Sequence, residues 1–230
     1  MTKTPRTAAA SKAAAPKAAA PKAAAPKAAD APSASAQRRE RERRQMRARL
    51  LEAAREIAAE DGWNAVTIRG IATRLEYAPP ILYQHFSSKE ALLTELMAVG
   101  FAELAGRLRT ASDGPADGRL TAMAEAYWTF AFASPELYQA MNGMDGVPFG
   151  TADTPQEAKD TFRTFRTALE GIAEARGAEL ADPVAAADTL WALLHGSVSL
   201  AMAGRIAGGR ERARTLMLDA VEALFTAQLR

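Results

Sequence analysis

Apolar residues recur every three or four positions through most of this chain, which is the spacing of one buried face of an α-helix. The first such run predicts a helix from Met46 that ends at Asp61-Gly62, where glycine interrupts the pattern. Its apolar face consists of Leu50, Leu51, Ala54, Ile57 and Ala58. No segment alternates apolar and polar residues as a half-exposed strand would. The pattern therefore predicts an all-α protein of about nine helices.

Capping residues divide the next part of the chain into short helices. Thr67 is a suitable N-cap for a second helix, and a third begins at Pro79-Pro80, where proline is tolerated in the first turn, and closes at Phe86. Ser87 and Glu90 have the spacing of a capping box, which predicts a fourth helix through about Arg109. Three later helix starts pair a capping side chain with proline: Ser134-Pro135, Thr154-Pro155 (with Glu157 as a second capping box) and Asp182-Pro183.

The second and third helices, separated by residues 76–78, have the spacing of a helix-turn-helix, whose second member enters the DNA major groove. At 100° per residue, Leu82 and Phe86 share one face of the third helix, and Pro80 and Gln84 lie on the opposite face. Glutamine can make a bidentate contact to adenine N6 and N7. Gln84 is therefore the strongest candidate for reading a base.

Three motifs in this region resemble the TetR family of DNA-binding regulators: VTIRGIA at 66–72, LYQHF at 82–86 and SKEALL at 88–93. The resemblance spans residues 45–96 and implies that this domain binds operator DNA. It implies phosphate contacts for Thr67, Arg69, Tyr83, His85 and Lys89, and a surface that faces the bases made of Ala78, Pro79, Pro80 and Gln84.

Two positions depart from the family pattern. Glu76 stands where the turn usually has glycine, so either a left-handed conformation there costs about 1 to 2 kcal/mol or the turn has another shape. Gly70 replaces an acidic residue that would form the reciprocal half of the cap at Thr67. The stability of the second helix is affected more than the DNA contacts.

Residues 97–230 are predicted to form a helical regulatory and dimerisation domain, rich in aromatic residues and methionines. These residues are either ordinary core or the wall of a mainly apolar ligand cavity. The candidate ligand contacts are Tyr127, Tyr138, Met141, Phe162, Phe165, Trp191 and His195.

The segment WALLHG at 191–196, with PELY at 135–138 upstream, resembles the TetR C-terminal subfamily named for its Trp-His-Gly motif. Trp191 and His195 are one helical turn apart and share a face. The helix that carries them is apolar nearly all round and needs cover on two sides. By resemblance, this helix and the last one, at 210–229, would pair with their mates in a homodimer.

Charge separates the first 44 residues from the rest. They carry 11 Lys/Arg against 3 Asp/Glu, which leaves 18 against 24 for the remainder of a chain whose net charge is +2. Residues 1–37 repeat Ala-Ala-Ala-Pro-Lys and have no large apolar residue after Met1, so residues 1–44 are predicted to be a disordered basic tail. The tail is either a solubilising extension or an arm that binds phosphates, and a salt series on full and truncated chains distinguishes these.

The chain has no cysteine, and its two histidines, His85 and His195, lie far apart in sequence, so neither a metal nor a cofactor is expected. It has neither an export signal nor a segment expected to span a membrane, because Thr189 to Gly204 is too short and is interpreted as a buried helix. The expected location is the cytoplasm.

The sequence thus predicts a sequence-specific transcriptional regulator: a dimeric repressor released from a palindromic operator by an unknown, largely apolar small molecule. The alternative is a histone-like architectural protein that uses its lysine-rich tail to compact DNA. Footprinting distinguishes them, because only a repressor protects a short palindrome. An enzyme is not expected, since no pair of nucleophile and base, metal cluster or glycine-rich phosphate loop stands out.

Overall fold

A computed structural model of the chain describes residues 33–142, 152 and 154–228. This part of the chain contains nine helices and no strand, which confirms the predicted all-α class. The helices are α1 (Ala34–Asp61), α2 (Ile68–Arg74), α3 (Pro79–Tyr83), α4 (Lys89–Ser112), α5 (Ala116–Ala133), α6 (Pro135–Asn142), α7 (Gln156–Ala175), α8 (Pro183–Met202) and α9 (Gly209–Gln228). Residues 1–32, most of the predicted basic tail, lie outside the described residues.

Helix α1 begins at Ala34, well before the predicted start at Met46, so the predicted tail boundary at residue 44 falls inside a helix. The segment 34–45 lacks large apolar residues, and periodicity therefore did not reveal it. Its alanine, arginine, glutamine and glutamate residues nevertheless have high intrinsic helix propensity. The chain divides into two units between Arg39 and Glu40. In the first unit, Ser33 caps the start of α1 by accepting a hydrogen bond from the Ala36 amide at 3.3 Å.

The second and third helices form at the predicted places, while the end of α3 and the cap of α4 are shifted by one to three residues. Thr67 caps α2, since its side chain accepts the Gly70 amide at 2.9 Å. Helix α3 ends at Tyr83 and not at Phe86, although the Phe86 amide still bonds to the Leu82 carbonyl. The predicted capping box at Ser87 is wrong by one residue, because it is the Ser88 side chain that accepts from the Ala91 amide.

Glu76 adopts the left-handed conformation, with φ of 58°. The amides of Glu76 and Tyr77 bond to the carbonyls of Thr73 and Ala72, which is the Schellman pattern that ends a helix. The turn therefore keeps the shape for which glycine is usual, and the glutamate carries a conformational cost of about 1 to 2 kcal/mol.

The remaining helices pack around α4. This helix contacts α5, α6 and α7, and α8 packs against α5, α7 and α9. Asp182 caps α8 as predicted, accepting the amides of Val184 and Ala185. The predicted cap of α7 at Thr154 is wrong by one residue, because the cap position falls on Pro155.

Helix α8 is, within the described residues, the one helix long and apolar enough to cross a membrane by length and composition. One side of it, with Ala187, Leu190 and Leu194, lies in the protein core. The prediction that this helix is buried is therefore only half right: on its other side, Val184 and Leu200 are each 47% exposed. The helix is thus covered on one side in the single chain.

Helix α6 packs against α4 at Gly100, which is buried. A Cβ atom there would lie 2.5 Å from Met141 Sδ and 3.0 Å from Leu137 Cγ. At Gly106, in the same helix, an added Cβ atom would meet only the end of the Arg109 side chain, at 3.9 Å. The two glycines therefore differ in packing and share the same helical backbone.

Gly100→Ala should therefore be less stable than Gly106→Ala by about 1 to 3 kcal/mol, the usual cost of overpacking a core. Both variants gain the same helix propensity, about 1 kcal/mol, so their difference isolates the contact with α6. Urea denaturation of the two proteins measures it. Equal midpoints would mean that α6 does not pack against Gly100.

Candidate functional site

The surface around α3 presents most of the predicted DNA-contacting residues to solvent. The exposed ones are Thr67, Arg69, Ala78, Pro79, Pro80, Tyr83 and Gln84. Tyr83 is 57% exposed, which is unusual for a large aromatic side chain. On the opposite side of α3, Leu82 and Phe86 are buried, so the predicted division into a core face and an outward face is confirmed.

Two of the predicted phosphate contacts already have partners within the chain. The Thr67 hydroxyl accepts the Gly70 amide, which leaves its proton free to donate. The Lys89 ammonium donates to the Trp63 carbonyl at 3.2 Å, and it has two further protons. These bonds fix the two side chains at the N-terminal ends of α2 and α4, where backbone amides favour an anion.

Arg47, which sequence reasoning missed, positions the end of α3. Its guanidinium donates to the His85 carbonyl, forms a bidentate ion pair with Glu95 of α4 and lies 4.4 Å from the centre of the Phe86 ring. One side chain of α1 thus joins α3 and α4. No sequence signal could have identified this contact, because the partners lie 38 and 48 residues along the chain.

His85 is half-buried beside this arginine. Its Nδ1 atom is buried and has no hydrogen-bond partner among the described residues. Burial, together with the charges of Arg43 and Arg47, lowers the pKa of His85. The imidazole is therefore neutral at pH 7, and its contact with a phosphate would be a hydrogen bond without a full positive charge.

The predicted ligand residues lie around two neighbouring spaces. Five of them line a cavity between α4, α5, α6, α7 and α8: Tyr127, Met141, Phe162, Phe165 and Trp191. Its volume is about 10 Å³, roughly the space for one water molecule. In this conformation the predicted apolar cavity is therefore closed.

Tyr138 and His195 face a second, open pocket of about 370 Å³, which Gln139, Asn142 and Ser199 also line. The Tyr138 hydroxyl bonds to His195 Nδ1 at 2.6 Å and to the Tyr127 hydroxyl at 3.1 Å. His195 Nε2 lies 3.4 Å from the Ser199 hydroxyl. A chain of four polar side chains thus connects the open pocket to the closed cavity.

These four hydrogen-bonded side chains are uncharged at neutral pH. Burial is the largest cause that raises the pKa of Tyr127, and it raises that of Tyr138 to about 12. Burial also lowers the pKa of His195, so the imidazole stays neutral. These groups are suited to hydrogen bonding with a ligand and not to pairing with its charge.

Helix α6 connects these pockets to α1. Arg55 of α1 donates to the Glu136 carboxylate at 3.2 Å, in a pair whose side chains are only 24% and 12% exposed. The Trp63 indole donates to the Glu136 carbonyl at 3.0 Å. The next residues of α6, Leu137 and Tyr138, are buried. A shift of α6 at the pockets would therefore disturb the contacts of α1 and of Trp63 with this helix.

Both halves of the chain match models of one family. Residues 50–96 match the model described as bacterial regulatory proteins, tetR family, and residues 120–225 match the model described as tetracyclin repressor-like, C-terminal domain. The match confirms the predicted resemblance. Membership of the Trp-His-Gly subfamily stays a prediction.

Individual relatives agree with the family models. The HTH-type transcriptional regulator Rv0681 of Mycobacterium tuberculosis is 30% identical over 156 residues, 67% of this chain and 69% of its own. YobS of Bacillus subtilis, also named an HTH-type transcriptional regulator, is 29% identical over 92 residues, 40% of this chain and 48% of its own. A solved structure of a Rhodococcus sp. RHA1 protein of unknown function shares the fold, with a TM-score of 0.70, 24% identity and coverage of 80% of this chain and 95% of that one.

The lowered pKa values of both histidines make stability depend on pH. The unfolded chain, in which each histidine has a pKa near 6.5, binds more protons than the folded chain below that pH. The contribution of these histidines to the free energy of unfolding should therefore be fully present above about pH 6.5. It should be lost as the pH drops toward their folded-state pKa values. Urea denaturation across this range measures the slope, and His85→Gln and His195→Gln should each reduce it. An unchanged slope in both variants would contradict the shifts.

Proposed function

The chain belongs to the TetR family of bacterial transcriptional regulators, and we propose that it is a dimeric repressor whose α3 reads a palindromic operator until a small molecule releases it. One observation carries the proposal: α3 exposes Pro79, Pro80, Tyr83 and Gln84 while its other side is buried. Operator binding would place the protein in the cytoplasm, on the chromosome.

Gln84 is the proposed base-reading residue. It occupies the C-cap position of α3, directly after the exposed Tyr83. Its amide can bond to adenine N6 and N7 in the major groove, while Ala78, Pro79 and Pro80 offer apolar contact to thymine methyl groups. Thr67, Arg69, Tyr83, His85 and Lys89 are proposed to hold the backbone phosphates on either side.

The dimer is proposed to form through α8 and α9. Val184 and Leu200 of α8 and Leu216 of α9 are large apolar residues left exposed in the single chain. A Cβ atom at Gly196 would meet nothing within 4 Å, so the partner's helix could approach closely there. Burial of this surface against its twofold mate would remove apolar area from water, which favours association.

Release is proposed to follow from opening the closed cavity. A drug-sized ligand needs a pocket of about 300 to 1,000 Å³, so a largely apolar molecule must displace Met141 or its neighbours to enter. Since Met141 and Glu136 lie on the same short helix, its movement would alter the contacts of Glu136 with Arg55 and Trp63. Ligand binding would thereby favour an arrangement of the DNA-binding domain that does not fit the operator.

Selection of bound DNA from a random pool should yield a twofold symmetric site, with recognition helices about 34 to 36 Å apart or a multiple of one turn.

Gln84→Ala should relax preference at one base of each half-site, at a cost of about 1 to 3 kcal/mol. Tyr83→Phe should weaken binding to all sequences equally, because phosphate contacts carry no sequence information. A nonsymmetric selected site, or an unchanged motif for Gln84→Ala, would contradict the assignment.

Glu136→Gln should reduce the factor by which a bound ligand and the operator weaken each other's binding. A compound found by thermal-shift screening should lower operator affinity, and the operator should lower affinity for the compound by the same factor. The variant should reduce that factor, measured by titrating operator with and without the compound. Glu103→Gln, which removes a more exposed pair with Arg107, is the control and should leave it unchanged. The same factor in both variants would remove Glu136 from the coupling.

A further inference from the structure

We propose that a groove between the C-terminal end of α4, the start of α5 and α7 binds a small dianion through three arginines. The groove has a volume of about 460 Å³ and is lined by Arg109, Arg119 and Arg163 and by the hydroxyl residues Ser112, Thr164 and Thr167. Asp160 is the single acidic residue in its wall. Three positive charges against one negative leave a net charge of about +2 that a dianion would neutralise.

Arg119 is held in place by the chain before any ligand arrives. Its Nε and Nη2 atoms donate to the Gly114 carbonyl at 3.2 and 2.9 Å. Its Nη1 atom would lie 3.3 Å from a Cβ atom at Gly171, so the guanidinium rests against α7 where that helix has no side chain. The Gly114 carbonyl takes one proton from Nε and one from Nη2, which leaves three of the five guanidinium protons for other partners.

The other two arginines contribute differently. Arg163 is tied to Asp160, with Nη1 2.8 Å from Oδ1. Arg109 forms no ion pair or hydrogen bond through its guanidinium within the described part of the chain. An unpaired arginine beside a fixed one can offer both carboxylate and phosphate oxygens a charge-assisted hydrogen bond.

The groove is separate from the surfaces described above. Arg109 lies twenty residues after Lys89 in α4, about 30 Å along the helix from the DNA-facing end. Asp160, Arg163 and Thr164 line the groove, whereas Phe162 and Phe165 of the same helix line the closed cavity. The proposed dianion site therefore lies on the outer side of α7, and its size fits a small molecule that carries a phosphate or two carboxylates.

Isothermal titration of the full chain with inorganic phosphate and with succinate, at pH 8 and constant ionic strength, tests the site. Saturable binding of at least one probe, with one site per chain, is expected. Arg109→Gln and Arg163→Gln should each weaken it about tenfold or more, as expected for loss of a charge-assisted hydrogen bond. Arg107→Gln removes the same charge from α4 outside the groove and should leave the affinity unchanged.

Failure of both probes to bind saturably would overturn the proposal, and so would equal weakening by Arg107→Gln and Arg109→Gln, which would indicate general screening. Within the described residues, the Arg109 guanidinium has no ion pair or hydrogen bond that its loss would disturb, and circular dichroism of each variant checks the fold. Because binding is measured on the protein alone, the outcome does not depend on whether the chain recognises an operator.

Discussion

Helix α4 has to satisfy two sets of neighbours with one continuous rod of 24 residues, about 36 Å long. Its first turns bury Leu92 and Leu96 in the core cluster that also holds Leu82 and Phe86, and its later turns bury Phe101 and Leu108. The helix packs against α5, α6 and α7. Since α4 contains no proline, the usual cause of a sharp kink, a displacement of its later turns would be carried toward its start. The close approach of α6 at Gly100 therefore affects both halves of the molecule.

Polar contacts also link these helices. Arg47 joins α1 to the end of α3 and to α4, and the pair of Arg55 with Glu136 joins α1 to α6. Both arginines lie on α1, and both pairs are substantially shielded from water. Partly buried pairs depend more strongly on geometry than exposed ones, so a rearrangement of α6 would change their energy as well as their distance.

The side of the molecule proposed to bind the ligand differs from a simple apolar cavity. The apolar residues are present, but they fill the space between their helices, and the open pocket beside them is edged by Tyr138, His195 and Ser199. Since the four hydrogen-bonded side chains are neutral, they could exchange bonds with a ligand without burying a charge. A ligand that suits both spaces would be largely apolar with a hydrogen-bonding end.

The sequence by itself determined the all-α class and the spacing of the helix-turn-helix, because caps and apolar periodicity act within about four residues. The family rested instead on the resemblance of three motifs between residues 66 and 93. Thr67, Asp182 and the division of α3 into two faces were predictable from caps and periodicity. The same local logic failed where its signal was weak: at the apolar-poor start of α1, and at Ser87 and Ser88, where either serine could cap. Glu76 was correctly identified as unusual, but only the structure decided between its two possible turns.

Tertiary structure alone decided which distant side chains meet. Tyr138 and His195 are 57 residues apart, Arg47 and Glu95 are 48 apart, and the arginines of the proposed dianion groove come from three segments. Periodicity shows that a face is buried but not which helix covers it, so it could not tell a filled core from an open cavity. That distinction depends on how α4, α7 and α8 pack, and a gap of one or two ångströms between helices is enough to change it.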